Sequence, residues 1–415
     1  GLGDVYKRQA TRGDEPALVT NDGVTITPQE LDAAAWRGVG QLQAMGATAG
    51  SVVALHGPPG PAWLAALCAC WRLGAVAAPL NHRQPEAERT QAAATLDCQF
   101  HWTPYAADLL TTDVTANTQT VSWSPTQAML RVCTSGTSGT PGCVELTLEQ
   151  LWFNTLGSNH RLGNRKDDRW LVCLPVNHVG ALAAIFRSLH NRIGIELHPS
   201  FDAERFGKRL DSGQVTLVSL VPAMLDAILD SRGEKAFAPA LRAVLLGGAA
   251  CGEQLMQRCR VSGLPVALSW GMTETASQVA TRHPGDLAPL GEGIPPLPWV
   301  RVTVDVNRRL IVEGPAARGK LVTDDVGEIT ASGRVRVLGR YDRYQHPEKR
   351  GNGLFTEQFL VTFVIRVGGH RDTGGKEFRP GSGNDEVTAV FDPELQVMKS
   401  PGCLPVLHFG LGHGR

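Results

Sequence analysis

Thr134-Ser135-Gly136-Thr137-Ser138-Gly139-Thr140-Pro141-Gly142 packs three glycines and five hydroxyl side chains into nine residues, directly after the apolar stretch Ala128 to Cys133 that reads as a strand. Glycine lets backbone N–H groups turn inward and Ser/Thr hydroxyls add donors, so such a loop can wrap a polyphosphate. Its spacing excludes two commoner phosphate loops. A Walker loop needs G-x-x-x-x-G-K-[ST] opening a helix, and a dinucleotide fingerprint needs G-x-G-x-x-G. A Ser/Gly turn without a ligand has the same composition. Composition alone leaves these two readings level, and the downstream stretches decide between them.

Trp270-Gly271-Met272-Thr273-Glu274 supplies a flat ring, a hydroxyl and a carboxylate after the strand-like Pro265 to Leu268. That trio suits a purine, a phosphate and a divalent cation; the structural alternative is a helix N-terminus capped by Thr273. Leu241 to Ala250 reads as a buried strand broken by Gly247 and Gly248. Leu174-Pro175-Val176-Asn177-His178 ends in a lone histidine, a type more often structural than catalytic. Thr323-Asp324-Asp325-Val326-Gly327 and Gly339-Arg340-Tyr341-Asp342 put a two-oxygen acceptor and a guanidinium close in sequence.

Taken in chain order, these stretches resemble the acyl-adenylate-forming superfamily, which includes acyl-CoA synthetases, aryl-CoA ligases, luciferases and adenylation domains. The resemblance covers roughly Pro16 to Asp342. It implies that Thr134, Ser135, Gly136, Thr137, Ser138 and Gly139 cradle the leaving phosphates of ATP, although Gly142 replaces the loop's usual lysine and Cys143 the glycine after it. It implies further that Gly247, Gly248, Ala249, Trp270 and Gly271 line the adenine pocket, and that Thr273 meets the α-phosphate. Glu274 would hold Mg²⁺, Asp325 and Arg340 the ribose, and His178 the edge of the acyl site, with Asp342 as the hinge. Asp324 stands where the family has glycine, which predicts a less comfortable turn.

The activity implied has two halves: a carboxylate attacks ATP·Mg²⁺ to give acyl-AMP and pyrophosphate, then a thiol, usually coenzyme A, displaces AMP. The compact region before the loop resembles o-succinylbenzoate–CoA ligases of menaquinone and phylloquinone synthesis. So do the strings L-P-V-N-H-V-G-A-L, S-L-V-P-A-M-L and W-G-M-T-E-T-A-S-Q. Three rival readings stay open: a ligase for another small aryl or acyl acid, an adenylation module loading a carrier protein, and a degenerate nucleotide-binding relative.

Bulk properties agree with a globular enzyme. A chain of 415 residues exceeds one ordinary core. Zero formal net charge argues against nucleic acid or an anionic membrane surface as the main partner. The apolar run Ala62 to Leu80 is interrupted by Arg72 and reads as a buried helix and strand, not a membrane span. Nine scattered cysteines without C-x-x-C read as a reduced cytoplasmic protein with neither a zinc site nor a disulfide framework. A homodimer is left open.

Strand–helix–strand rhythm after Thr27, a candidate N-cap before Pro28, predicts doubly wound parallel sheets. The fold expected is α/β: a large domain over 16–340 with two α/β lobes, plus a β-rich lobe over Val300 to Val337 around an Asn307-Arg308 turn. ATP is expected between these lobes. Residues 1–15 read as an artefactual or disordered start, and 341–415 as a degenerate or frame-disturbed remnant of a small C-terminal domain. That remnant offers no lysine in the context the superfamily uses for catalysis.

Overall fold

The computed structural model describes residues 18–20, 23, 25–110, 122–134, 142–233 and 235–341. The expectations for 1–15 and for the tail beyond Tyr341, the hinge Asp342 included, lie outside the described residues. Strands β1 (Leu18–Thr20) and β2 (Thr25–Ile26) form an antiparallel pair, and helix α1 (Pro28–Ala44) comes next. Its start was legible: the Thr27 hydroxyl accepts from Glu30 N at 3.2 Å while the Glu30 carboxylate accepts from Thr27 N at 2.7 Å. This reciprocal cap satisfies two of the helix's orphan donors.

The first lobe is built on β3 (Val52–Leu55), β4 (Val76–Pro79), β5 (Phe100–Trp102), β6 (Ala128–Thr134) and β7 (Gly142–Thr147). These lie in the order β5-β3-β4-β6-β7, parallel except for the last pair. Helices α2 (Pro61–Leu73), α3 (Glu86–Thr95) and α4 (Ala106–Leu109) connect them. Helix α2 is apolar all round except for Arg72, because it is buried all round and packed on α1. The Trp71 indole N–H still finds an acceptor, Met129 O at 2.9 Å.

The second lobe contributes α5 (Leu148–Leu162), β8 (Arg169–Val172), α6 (Val179–Asn191), β9 (Gly194–Leu197) and α7 (Ala203–Asp211). It continues through β10 (Leu217–Leu220), α8 (Pro222–Arg232), β11 (Ala243–Leu246), α9 (Glu253–Val261), β12 (Val266–Met272) and β13 (Ser277–Thr281). Its sheet runs β13-β12-β11-β10-β8-β9-β1-β2, parallel from β12 through β1. The chain leaves β8 for β9 on one side and returns to β10 on the other. Such a reversal opens a crevice at the carboxyl ends of the strands. Leu174–His178 come after β8 there, Gly247–Ala249 after β11, and Trp270–Met272 close β12 with Thr273 and Glu274 next.

The third sheet is an antiparallel meander of β14 (Arg301–Val304), β15 (Arg309–Gly314), β16 (Gly319–Ile329) and β17 (Val335–Arg340). Its first hairpin turns where expected, with Arg308 at φ 62°. The T-D-D-V-G stretch corrects an expectation: it lies inside β16 rather than in a turn, and Asp324 keeps an ordinary negative φ. Replacing the family's glycine therefore strains nothing at that position. No helix among the described residues is long and apolar enough to cross a membrane.

Gly271 shows how tightly the crevice is built. The β12–β13 register shifts between Trp270 and Gly271, and a Cβ on Gly271 would stand 1.7 Å from the Ser277 carbonyl oxygen. No rotamer change relieves a backbone clash. Gly271→Ala should lower stability by about 3 kcal/mol or more, read as a fall in the urea midpoint at unchanged slope.

Candidate active site

Three of the expected nucleotide residues meet directly, although they come from two different sheets. The Trp270 indole N–H donates to Asp325 Oδ2 at 2.9 Å, and Arg340 Nη1 donates to Asp325 Oδ1 at 3.3 Å. Asp325 and Arg340 are direct cross-strand partners in β16 and β17, which fixes their side chains on one face. Asp325 N donates to the Thr323 hydroxyl at 3.1 Å, and that hydroxyl donates to Leu310 O at 2.8 Å. Burial pushes the Asp325 carboxyl above the usual aspartate value, while Arg340 and the indole pull it back. The exposed Asp324 takes the second arm of Arg340, Nη2, at 3.3 Å.

Thr273 and Glu274 begin a single 3₁₀ turn, Thr273–Thr275. The hydroxyl that staples this turn belongs to Thr275, which accepts from Met272 N at 3.4 Å and donates to Met272 O at 3.1 Å. Thr273 is thus not the cap that the structural alternative required. Its hydroxyl and the half-buried Glu274 carboxylate make no hydrogen bond or ion pair to any described residue. A lone carboxylate fits Mg²⁺, which is commonly held by one or two carboxylates together with substrate phosphates. No group of three metal-ligating side chains exists among the described residues.

The turn after Glu274 is strained, with Ala276 at φ 55° and Ser277 at φ 108°. Positive φ at non-glycine residues costs of order 1–3 kcal/mol each and persists only where the surroundings enforce it. Two buried amides on α5 do the enforcing. Gln150 Nε2 donates to Glu274 O at 2.9 Å and to Ala316 O at 3.0 Å. Asn154 Nδ2 donates to Thr275 O at 3.0 Å and Gln278 O at 2.7 Å. Behind Asn154 stands Arg187, 1% exposed, whose Nη2 donates to Asn154 Oδ1 at 2.7 Å. Its guanidinium lies 5.6 Å from the Trp170 ring centre. Burial draws Arg187 down to about 9, so it stays cationic at neutral pH. Its Nε and Nη1 have no partner among the described residues.

The sequence reading missed Gln150, Asn154 and Arg187. A signal existed for each: Thr147 with Gln150 is a capping box, Asn154 lies one turn later, and Arg187 interrupts the apolar run Ala181–Leu189.

Gly248 takes φ 64°, and a Cβ on Gly247 would press to 3.0 Å on the Ser269 carbonyl oxygen. Ala249 is buried. His178 occupies the N-cap position of α6, and burial pushes its imidazole down to about 4, leaving it neutral at neutral pH. Thr134 ends β6, paired with Gly142. Ser135, Gly136, Thr137, Ser138 and Gly139 lie outside the described residues.

Trp270→Phe keeps the ring and deletes the donor to Asp325. If this contact holds a nucleotide, ATP affinity should fall about tenfold, the size of one hydrogen bond to a charged group. If ribose is held by the ionised carboxylate, binding is lost as pH falls through the Asp325 pKa. Deleting the donor removes a stabiliser of the charged form, so the acid limb of the pH profile should move upward. ATP KM measured across pH checks both.

Residues 5–339 match the AMP-binding enzyme family. A curated relative from Bacillus cereus, named 2-succinylbenzoate–CoA ligase, is 36% identical over 196 residues, 47% of this chain and 40% of its own length. The same-named protein of Listeria monocytogenes serovar 1/2a is 30% identical over 324 residues, 75% of this chain and 69% of its own. The chain thus matches the first curated relatives over about two fifths of their length. Among solved structures, the o-succinylbenzoate coenzyme A synthetase of Bacillus subtilis in complex with ATP and magnesium superposes with TM-score 0.74 at 26% identity. That superposition covers 81% of this chain and 79% of the other. With Trp270, Asp325 and Arg340 in contact and most of its length matched, the chain belongs to the AMP-binding enzyme family.

Proposed function

We propose that this chain uses ATP to activate a carboxylic acid as its acyl-adenylate and passes the acyl group to coenzyme A, with o-succinylbenzoate as the acid. The observation that carries the adenylation reading is the contact of Trp270, Asp325 and Arg340, which puts a purine platform beside a diol acceptor. Thr273 and Glu274, unpaired among the described residues at the edge of the same crevice, supply a donor for the α-phosphate and a ligand for Mg²⁺. The metal would neutralise charge on the phosphate oxygens. The substrate's carboxylate oxygen attacks the α-phosphorus and the bond to the β-phosphate breaks, releasing pyrophosphate. Positioning and charge neutralisation are the main protein contributions to such a step. Residues Thr134–Gly139 would hold the departing phosphates.

The acid is argued from Arg187 and from the relatives' names. o-Succinylbenzoate carries two carboxylates, of which one reacts and the other needs a counter-charge. A buried cation with two open donors suits that second group. His178, neutral at working pH, can face an acyl chain without attracting anions. Region 16–340 is then the adenylate-forming part and 341–415 a small-domain remnant, whose role in the thioester step goes with this proposal. A cytoplasmic location fits ATP and coenzyme A as substrates, and the homodimer remains an open part of the same proposal.

ATP–pyrophosphate exchange tests the reading: exchange should depend on o-succinylbenzoate and be weak with benzoate, a medium-chain fatty acid or no acid. Absence of exchange with every acid would overturn it in favour of a nucleotide-binding relative. Arg187→Met should lower kcat/KM for o-succinylbenzoate by about ten- to a hundredfold, the range of a charged hydrogen bond, and leave any benzoate-dependent exchange alone. Thermal stability should change little, because relief of a buried charge with unmet donors is offset by leaving Asn154 Oδ1 without its donor.

A further inference from the structure

The strands that flank residues 135–141 carry two facing thiols. Cys133 and Cys143 are direct partners in the antiparallel register of β6 and β7, one step from the terminal pair Thr134 and Gly142. Direct antiparallel partners stand about 4.5–5.5 Å apart at Cα, inside the roughly 4.4–6.8 Å that a disulfide spans. Both thiols are free, Cys143 exposed and Cys133 half-buried. On the same face the next pair is Arg131 with Glu145, joined at 3.2 Å, and Arg131 also reaches Asp97 at 3.3 Å. A third thiol, Cys98, packs with Cys133 against the small core of Val52, Val76 and Leu96. An exposed cysteine gains little from packing, so its chemistry is the more informative property.

We propose that Cys133 and Cys143 form a redox pair that closes into a disulfide across the stem of the hydroxyl-rich segment. With a peroxide as oxidant, the Cys143 thiolate attacks one peroxide oxygen, the O–O bond breaks, and a sulfenic acid and water form. Cys133 then gives up its proton and attacks that sulfur, expelling hydroxide as a second water, so two electrons pass from the thiols to the peroxide. Cys143 is the first to react because it is the exposed member of the pair. Burial with Glu145 and Asp97 opposes ionisation of Cys143, and burial pushes Cys133 up to about 11. Closure should therefore speed up as pH rises. The link fixes both ends of the segment; its effect on ATP rests on the proposed nucleotide role, whereas the bond itself does not.

Trypsin reads the pairing directly. Cleavage after Arg131 and Arg161 puts Cys133 and Cys143 on one peptide, and cleavage after Arg89 and Arg131 puts Cys98 on another. After hydrogen peroxide treatment of the full chain and non-reducing digestion, the 132–161 peptide should weigh two hydrogens less and regain them with dithiothreitol. Cys143→Ser should abolish that change. An unaltered peptide, or a cross-link to Cys98, overturns the proposal. In protein that exchanges ATP and pyrophosphate when reduced, oxidation should lower exchange reversibly, and Cys143→Ser should be insensitive to peroxide. Exchange that ignores a confirmed disulfide overturns the switching role. Protein that never exchanges bears on the ATP reading instead, and the peptide mass still decides the pair.

Discussion

The carboxylate of Asp325 is the contact on which the crevice depends. It comes from the antiparallel meander, yet one of its oxygens is held by an indole from the end of a strand in the doubly wound sheet. The other faces Arg340 across the β16–β17 ladder. A buried carboxylate is tolerable only when its oxygens are met by donors, so burial and function require the same neighbours. The hydrogen bond sets the rotation of the Trp270 ring, and the ring sets where a flat ligand can stack. Two different sheets are thereby brought into one register at the point where a nucleotide would lie.

A second layer holds the phosphate side. Helix α5 starts directly after β7, so the strand leaving the hydroxyl-rich segment delivers Gln150 and Asn154 one turn apart onto the same helix face. Their amides satisfy three carbonyls around a turn that would otherwise relax from its positive φ angles, and a fourth at Ala316. Arg187 closes this network from behind and keeps donors in reserve. The arrangement links the segment that would touch departing phosphates, the carboxylate suited to Mg²⁺ and a buried cation suited to an acidic substrate. Its cost is a desolvated guanidinium with unmet donors, which is hard to explain by stability alone.

Much of the fold was legible because its signals are local. The capping box at Thr27, the all-apolar helix α2, the short apolar strands and the Asn307-Arg308 turn arise from periodicity and turn chemistry. The candidate nucleotide residues come from motif resemblance, and three of them, Trp270, Asp325 and Arg340, are in contact. What local signals could not supply was long-range placement. T-D-D-V-G reads as a turn from its composition, but sheet pairing on both sides draws it into β16. Gln150 and Asn154 read as ordinary helix polar residues, and only the approach of the strained turn makes them structural. Arg187 looks like an amphipathic accident until its contacts among the described residues prove to be an amide and an indole ring, with no carboxylate.

The account stands or falls on Asp325 as the anchor of a nucleotide. Equilibrium titration of AMP into the wild-type chain and into Asp325→Asn tests it without requiring turnover. The substitution keeps size and an acceptor but loses the charge and one lone-pair face. AMP should bind the wild type, and affinity should fall at least about tenfold in the variant, with the fold retained. Equal AMP affinity in two well-folded proteins would contradict it and separate the contact of Trp270, Asp325 and Arg340 from any role in binding.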